Sequence, residues 1–581
     1  MSKLIPFYTL ILGLVPLTAQ IATDFSEVSA SPFDIIINEI MEDATIDGGG
    51  TLGLPAVEYV ELYNRSDKVI NLADFEFSDG GAKPAVFPDY EFTPDTYLLI
   101  GKKSADTLSK FGDFLGLANF PTLSATETLT LKNEFGDLID VVSYTQDWYG
   151  STATASGGYS LERINPQSPC EGITNWRGSA SFLGGTPNDK NAVFDLSAEG
   201  GMLNIIDAYP LSATQIRLSF NKKISEAILV DPDNYSITNH TIGSVSLIES
   251  SLQAVVLNLQ NPLLMNAVEI ITVASNFSDC LGNLIDGKTT YPIALPTLPG
   301  PSDIIINELL FNPQTGGADF VELYNRSEKV FDLSLLFLAN QALDNPQLKP
   351  IEAQKLLFPK DFVVFTERPI DLLERYTVEN PSNLLTQDLP TFPDQEGNVL
   401  LYINDGTETI FLDEFDYTAD FHNPLLNDKN GVSLERINPN LPTQDAGNWN
   451  SAAQTAGFAT PTYQNSQIST ASTKESENIF SLSNKRISPD GDGFEDILQI
   501  NYVTDKAGYA ATVQIFDAAG RLIDRIAQNE LLGTSGSFKW EGTTFDGQKA
   551  SIGIYVLWIE YFNVDGQVGR MKEAITVASK L

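Results

Sequence analysis

The chain has 581 residues and a formal net charge of −41, with only two cysteines and two histidines. A surface this acidic repels DNA, RNA and anionic lipid, whose protein partners depend on lysine and arginine to displace phosphate counterions, so nucleic-acid binding is not expected. Two cysteines in a chain this long exclude a disulfide scaffold, and so few histidines argue against a zinc centre or a Ser/His/Asp triad.

The first segment reads as a signal peptide over 1–19. Lys3 supplies the positive start, 4–17 an apolar run too short to span a bilayer comfortably, and Leu17-Thr-Ala19 a small-residue cleavage site before Gln20. No later stretch has the pattern of a transmembrane helix, so the chain is expected outside the cytoplasm, secreted or on the outer cell surface.

Residues 20–195 and 299–466 are two copies of one unit. The first contains Asp34-Ile-Ile-Ile-Asn-Glu-Ile-Met41, then Glu61-Leu-Tyr-Asn-Arg-Ser66, and closes on Ser160-Leu-Glu-Arg-Ile-Asn-Pro166. The second contains Asp303-Ile-Ile-Ile-Asn-Glu-Leu-Leu310, then Glu322-Leu-Tyr-Asn-Arg-Ser327, and closes on Ser433-Leu-Glu-Arg-Ile-Asn-Pro439. Both continue through Asn-Trp (Trp176, Trp449) to Gly185-Thr-Pro187 or Ala459-Thr-Pro461. Short β-branched and aromatic runs bounded by Gly, Pro, Asn and Asp predict strands throughout. One short helix is expected in each copy, at 103–111 and 369–376. The copies differ in their loops, at 47–53 and 147–158 of the first and 312–317 and 416–430 of the second, which is where differences in specificity are expected.

These repeated motifs resemble the lamin-tail domain, which implies an immunoglobulin-like β-sandwich in a secreted bacterial protein. Between the copies, 196–298 alternates apolar and polar residues in Ser212-Ala-Thr-Gln-Ile-Arg-Leu-Ser-Phe220 and ends on Asp279-Cys-Leu-Gly-Asn-Leu284. It resembles the small Ig-like domains of bacterial surface-layer proteins. A Ser/Thr-rich polar linker is expected at 467–478. In 479–581, Gly508-Tyr509, Ile515-Phe-Asp517, Trp540-Glu-Gly542 and Gly553-Ile-Tyr555 resemble the Ig-like domain of the flagellar hook-cap class, and the final strands resemble type IX secretion sorting domains. The latter implies export with attachment to the outer-membrane surface. The fold class is therefore all-β, with tandem Ig-like β-sandwiches expected in an extended series.

Four constellations are candidate sites. Asp490, Asp492 and Asp496 sit in a Gly-containing loop that could direct hard oxygens at calcium, although Asn501 stands where an EF-hand loop has its bidentate Glu; the alternative is a turn whose carboxylates bind nearby N–H groups. Glu39 with Glu61, repeated as Glu308 with Glu322, could be an acid/base pair, a cation site or framework that accepts turn N–H groups or pairs with Arg163 and Arg436. Trp148 and Tyr149, in a Gly/Ser-rich loop, could stack on a sugar or pack on their own sandwich. Cys170 and Cys280 are two separate buried thiols or one bridge between units. His240 and His422 have no partner pattern, and 47–53 lacks the Lys and helix of a phosphate loop and reads as a mobile loop. No catalytic constellation emerges. The reading is a non-enzymatic secreted or cell-surface protein that binds an extracellular protein or glycan, in adhesion or scaffolding, with calcium the one candidate cofactor; the alternative is an accessory or catalytic part of an extracellular hydrolase system acting on polysaccharide or nucleic acid.

Overall fold

The computed structural model describes residues 29–197, 200–248, 252–341, 347–404, 406–469 and 479–578. The signal-peptide expectation and most of the expected linker at 467–478 lie outside them. The described chain is built from β-sheets with short helical turns, an all-β architecture.

The first copy packs a six-stranded sheet on a four-stranded one. The larger sheet runs in the order Trp176–Gly178, Leu161–Arg163, Ile35–Met41, Tyr59–Asn64, Tyr97–Lys102, Phe114–Leu117. The smaller runs Leu138–Tyr144, Glu127–Lys132, Glu76–Ser78, Ala85–Val86. The second copy repeats the larger sheet strand for strand, as Trp449–Ser451, Leu434–Arg436, Ile304–Leu310, Phe320–Asn325, Phe362–Thr366, Leu384–Thr386. The edge strand of each large sheet is parallel to its neighbour, which requires a crossover. The two expected helices supply it: a 3₁₀ helix at Lys103–Phe111 and an α-helix at Pro369–Arg375 with proline in its first turn.

One irregularity sets the chemistry of both copies. The register between the first two strands shifts between Ile37 and Glu39, and identically between Ile306 and Glu308. Strict alternation from Ile35 and Ile37 would drive Glu39 into the sandwich core. The bulge at Asn38 resets the alternation, so Ile35, Ile37 and Ile40 enter the core, while Glu39 pairs directly with Glu61.

The middle unit has a four-stranded sheet (Ile205–Ser212, Gln215–Phe220, Ala254–Leu259, Ile242–Leu247) against a three-stranded one (Tyr235–Ile237, Glu269–Val273, Thr290–Ile293). The last unit packs Phe480–Leu482, Leu498–Val503 and Ser535–Trp540 against a five-stranded sheet centred on Gly553–Asn563. The units are not spaced out as an extended series would have them. Phe33, Ile36, Tyr63 and Val141 of the first copy, and Val330 and Leu356 of the second, are buried in the same apolar cluster as the middle unit's own core. The last unit is tied to the second copy by Thr534 N–H donating to the Ser466 carbonyl at 2.8 Å and by Gln467 Nε2 to Leu532 O at 3.1 Å.

Candidate functional site

The repeated acids form a row of three, not two. Glu162 pairs with Glu39, which pairs with Glu61, and in the second copy Glu435, Glu308 and Glu322 line up in the same way. All six are 0% exposed. They are covered by the segment that follows the last strand, which crosses the sheet without joining it. A strap of this kind has backbone donors with no strand partner, and buried donors must be satisfied. The glutamates do it. Thr186 N–H donates to Glu39 Oε1 (3.0 Å), Asn188 N–H to Glu61 Oε2 (2.6 Å) and Val193 N–H to Glu162 Oε2 (3.1 Å). In the second copy Thr460, Thr462 and Gln467 N–H donate to Glu308, Glu322 and Glu435 at 2.9, 2.7 and 2.8 Å. The bulge asparagines complete the lattice: Asn38 Nδ2 reaches Glu61 Oε1 and Asn191 Oδ1, both at 2.9 Å, and Asn307 repeats this with Glu322 and Asn465.

The row also holds protons. The Thr186 hydroxyl lies 3.1 Å from Glu39 Oε2 and 3.0 Å from Glu162 Oε1, and the Thr460 hydroxyl 3.1 Å from Glu308 Oε2 and 2.8 Å from Glu435 Oε1. A hydroxyl has one hydrogen to donate. One of the two flanking carboxyls must supply the other. Burial pushes all six upward: Glu162 to about 7 and Glu308 to about 8, with Glu61 and Glu322 raised well above the ordinary carboxylate value by burial and by the neighbouring glutamate. The strap closes these acids off from solvent.

Arg163 and Arg436 do not pair with this row, contrary to one sequence expectation. Each lies on the opposite side of the bulge. Arg163 Nε and Nη2 donate to the Ile37 carbonyl at 2.9 and 2.8 Å, Nη2 lies 3.3 Å from Asp140 Oδ2, and its guanidinium stacks 4.5 Å from the Trp176 ring. Arg436 donates to Ile306 O (2.8 Å), lies 3.4 Å from Asp413 and stacks on Trp449. The Leu-Glu-Arg and Asn-Trp motifs are thus two halves of one framework.

Cys170 and Cys280 are joined by a disulfide that links the first copy to the middle unit, so they are not separate thiols. Beside it Lys223 enters from the middle unit and places Nζ 2.5 Å from Asp140 Oδ1, both groups buried.

Asp490, Asp492 and Asp496 come together, their nearest carboxylate oxygens within 4.8 Å of one another. Each of the three also accepts N–H groups of the loop itself. Asp496 accepts from Asp490, Gly491 and Gly493 N–H at 3.0, 2.7 and 2.7 Å, which holds its carboxyl below the usual range. Asp490 accepts from Asp492 N–H, and Asp492 from Phe494 N–H. Gly491 and Gly493 sit at φ of +86° and +85°, the left-handed turn that presents successive N–H groups to one carboxylate. This geometry supports the turn.

Trp148 and Tyr149 are not presented to solvent as a platform. Tyr149 is 2% exposed within the first core, and Trp148 packs against that core with its ring 6.0 Å from Trp176. His422 is buried against Ser451 (2.8 Å) and pushed down to about 4 by burial and Lys429; His240 bonds Asn261 at 2.9 Å. The loop around 47–53 is a tight turn, with Gly49 N–H donating to Ile46 O at 2.9 Å and Gly48 to Gly50 all in the left-handed region. It adjoins the other variable loop, since Gly158 N–H donates to Asp43 O at 2.9 Å.

The family described as Lamin Tail Domain matches residues 28–146, and the family described as CHU_C Type IX secretion signal domain matches residues 480–577. A comparison with curated proteins finds no match. Among solved structures, FlgD from P. aeruginosa is similar at 17% identity over 17% of this chain and 68% of that one, with a TM-score of 0.13. The S-layer protein rSbsC(31-844) is similar at 11% identity over 65% and 55%, TM-score 0.16. Dimeric latent PorU from Porphyromonas gingivalis is similar at 9% identity over 77% and 40%, TM-score 0.15. The chain therefore carries a lamin-tail domain at its start and a type IX secretion signal domain at its end, and it is secreted to the cell surface or exterior. Among the described residues no helix is long and apolar enough to cross a membrane.

Proposed function

We propose that this secreted surface protein is a non-enzymatic binding scaffold, holding an extracellular protein or glycan through its two lamin-tail copies. The observation that carries the reading is the burial of both glutamate rows, whose repeated acids pin a strap. The middle unit supports it further. It shares one apolar cluster with both copies, so it fixes their separation and orientation. Two platforms at a fixed spacing bind a repeated ligand with avidity that exceeds a single platform's by about 10² or more when the spacing matches. The disulfide suits an oxidising exterior.

The test is retention of extracellular protein and glycan fractions by the full secreted chain, compared with a chain lacking 299–466. Retention that collapses with loss of one copy supports the reading. Release of sugars or nucleotides from those fractions, abolished by Glu39→Gln without a change in Tm, would establish a hydrolase instead.

A further inference from the structure

A second kind of site lies between the copies, where neither alone would form it. A cleft of about 240 Å³ is lined on one side by Thr145 and Asp147 of the first copy and on the other by Arg368, Pro369, Ile370 and Thr386 of the second. We propose that this cleft receives a cationic side chain, lysine or arginine, from a protein partner. The inference rests on the binding reading above and names the partner's chemistry.

Asp147 carries the argument. It lies in the 3₁₀ turn Gln146–Tyr149, whose Trp148 and Tyr149 pack into the first core and hold it in place. Its carboxylate is half-buried and receives no hydrogen bond or ion pair from the described residues. Burial alone raises its pKa, with no neighbouring charge contributing. Arg368 on the opposite wall makes no ion pair with it and does not shift its pKa; its Nη2 donates to the carbonyls of Gly316 and Gly317, both at 2.7 Å. A carboxylate partly withdrawn from water without a partner is an unfavourable arrangement that an incoming cation relieves.

The rest of the wall fits the same guest. The Thr145 and Thr386 hydroxyls offer acceptors to an ammonium or guanidinium, and Pro369 and Ile370 offer an apolar surface for its methylenes. Glu367 adds a second negative charge to the lining, leaving it net negative against one arginine. The volume is below the roughly 300–1,000 Å³ of small-molecule sites and suits one side chain. The second copy has no equivalent, since Asp420 at the matching turn is exposed.

The experiment uses the full chain and a fluorescein-labelled decapeptide of Gly and Ser with two lysines, followed by anisotropy, with cellohexaose as competitor. Asp147→Asn is expected to weaken peptide binding about tenfold, and Asp420→Asn, an equal change in net charge at an exposed site, by less than about twofold. Asp147→Asn should melt no lower than wild type, since it breaks no internal bond. Equal losses in the two variants would reduce the effect to general acidity and overturn the inference, as would displacement of the peptide by cellohexaose. If Asp147→Asn binds the peptide like wild type while the chain still retains extracellular material, the cleft assignment falls and the scaffold reading stands. If wild type takes up neither, both fall.

Discussion

The two copies close the same buried aspartate in different ways. In both, an aspartate accepts the N–H of the strand residue before the bulge, Ile37 or Ile306, at 2.9 Å and faces the framework arginine. In the second copy Thr443 supplies the remaining donor, its hydroxyl 2.6 Å from Asp413 Oδ1. Four residues beyond the repeated Ile-Asn-Pro, the first copy has Cys170 where the second has Thr443. The cysteine bonds outward to the middle unit, and Lys223 of that unit takes the hydroxyl's place on Asp140. The second copy is completed from within and the first by its neighbour. One framework thus has its buried aspartate closed from within in one copy and by the adjoining unit in the other, with Thr443 against Cys170 and Lys223 marking the difference.

The sharpest way to break this comparison is Lys223→Met. Removing one partner of a buried ion pair leaves Asp140 under-compensated, at about 3–5 kcal/mol. The loss should appear in denaturant melts and as joint proteolysis of the first copy with the middle unit, and adding Asp140→Asn should recover part of it. Replacing both cysteines by serine comes next, at about 2–4 kcal/mol, confined to the same pair of units. Thr443→Val in the second copy should lose only about 1–3 kcal/mol and leave the first copy's protease resistance unchanged. Equal effects of Lys223→Met and Thr443→Val would mean that the two closures are equivalent. The smallest effect is expected at Asp496→Asn, whose exposed loop should gain protease sensitivity with little change in Tm; calcium and chelator should give superimposable melts.

Much of this was legible in the sequence. The duplicated Ile-Asn-Glu and Glu-Leu-Tyr-Asn-Arg-Ser phrases are read directly as paired strands, and Glu39 with Glu61 as neighbours. Glu162 was hidden in plain view, because the Leu-Glu-Arg phrase draws attention to its arginine. A one-residue bulge has no signature in an alternating pattern, so which face Glu39 and Arg163 occupy could not be read from periodicity. Of the two readings of Trp148 and Tyr149, stacking on a sugar or packing on their own sandwich, the structure shows the packing. The outward use of Cys170 had a readable sign: a cysteine in one copy against a threonine in the other, with the second cysteine in the intervening unit.

The central claim is that the repeated acids are framework groups that hold the strap and whose pKa values burial raises. Their folded pKa values lie above the unfolded carboxylate value of about 4.5, so the stability they contribute is fully present below that pH and lost as pH rises through 7 to 8. The direct measurement is the unfolding free energy of the full chain from pH 4.5 to 9, for wild type, Glu308→Gln and the exposed control Glu328→Gln. Stability of wild type and Glu328→Gln should fall from about pH 4.5 to pH 7–8 and level off above it, and Glu308→Gln should flatten that fall. A fall that Glu308→Gln leaves unchanged, or stability that rises with pH, would contradict the account.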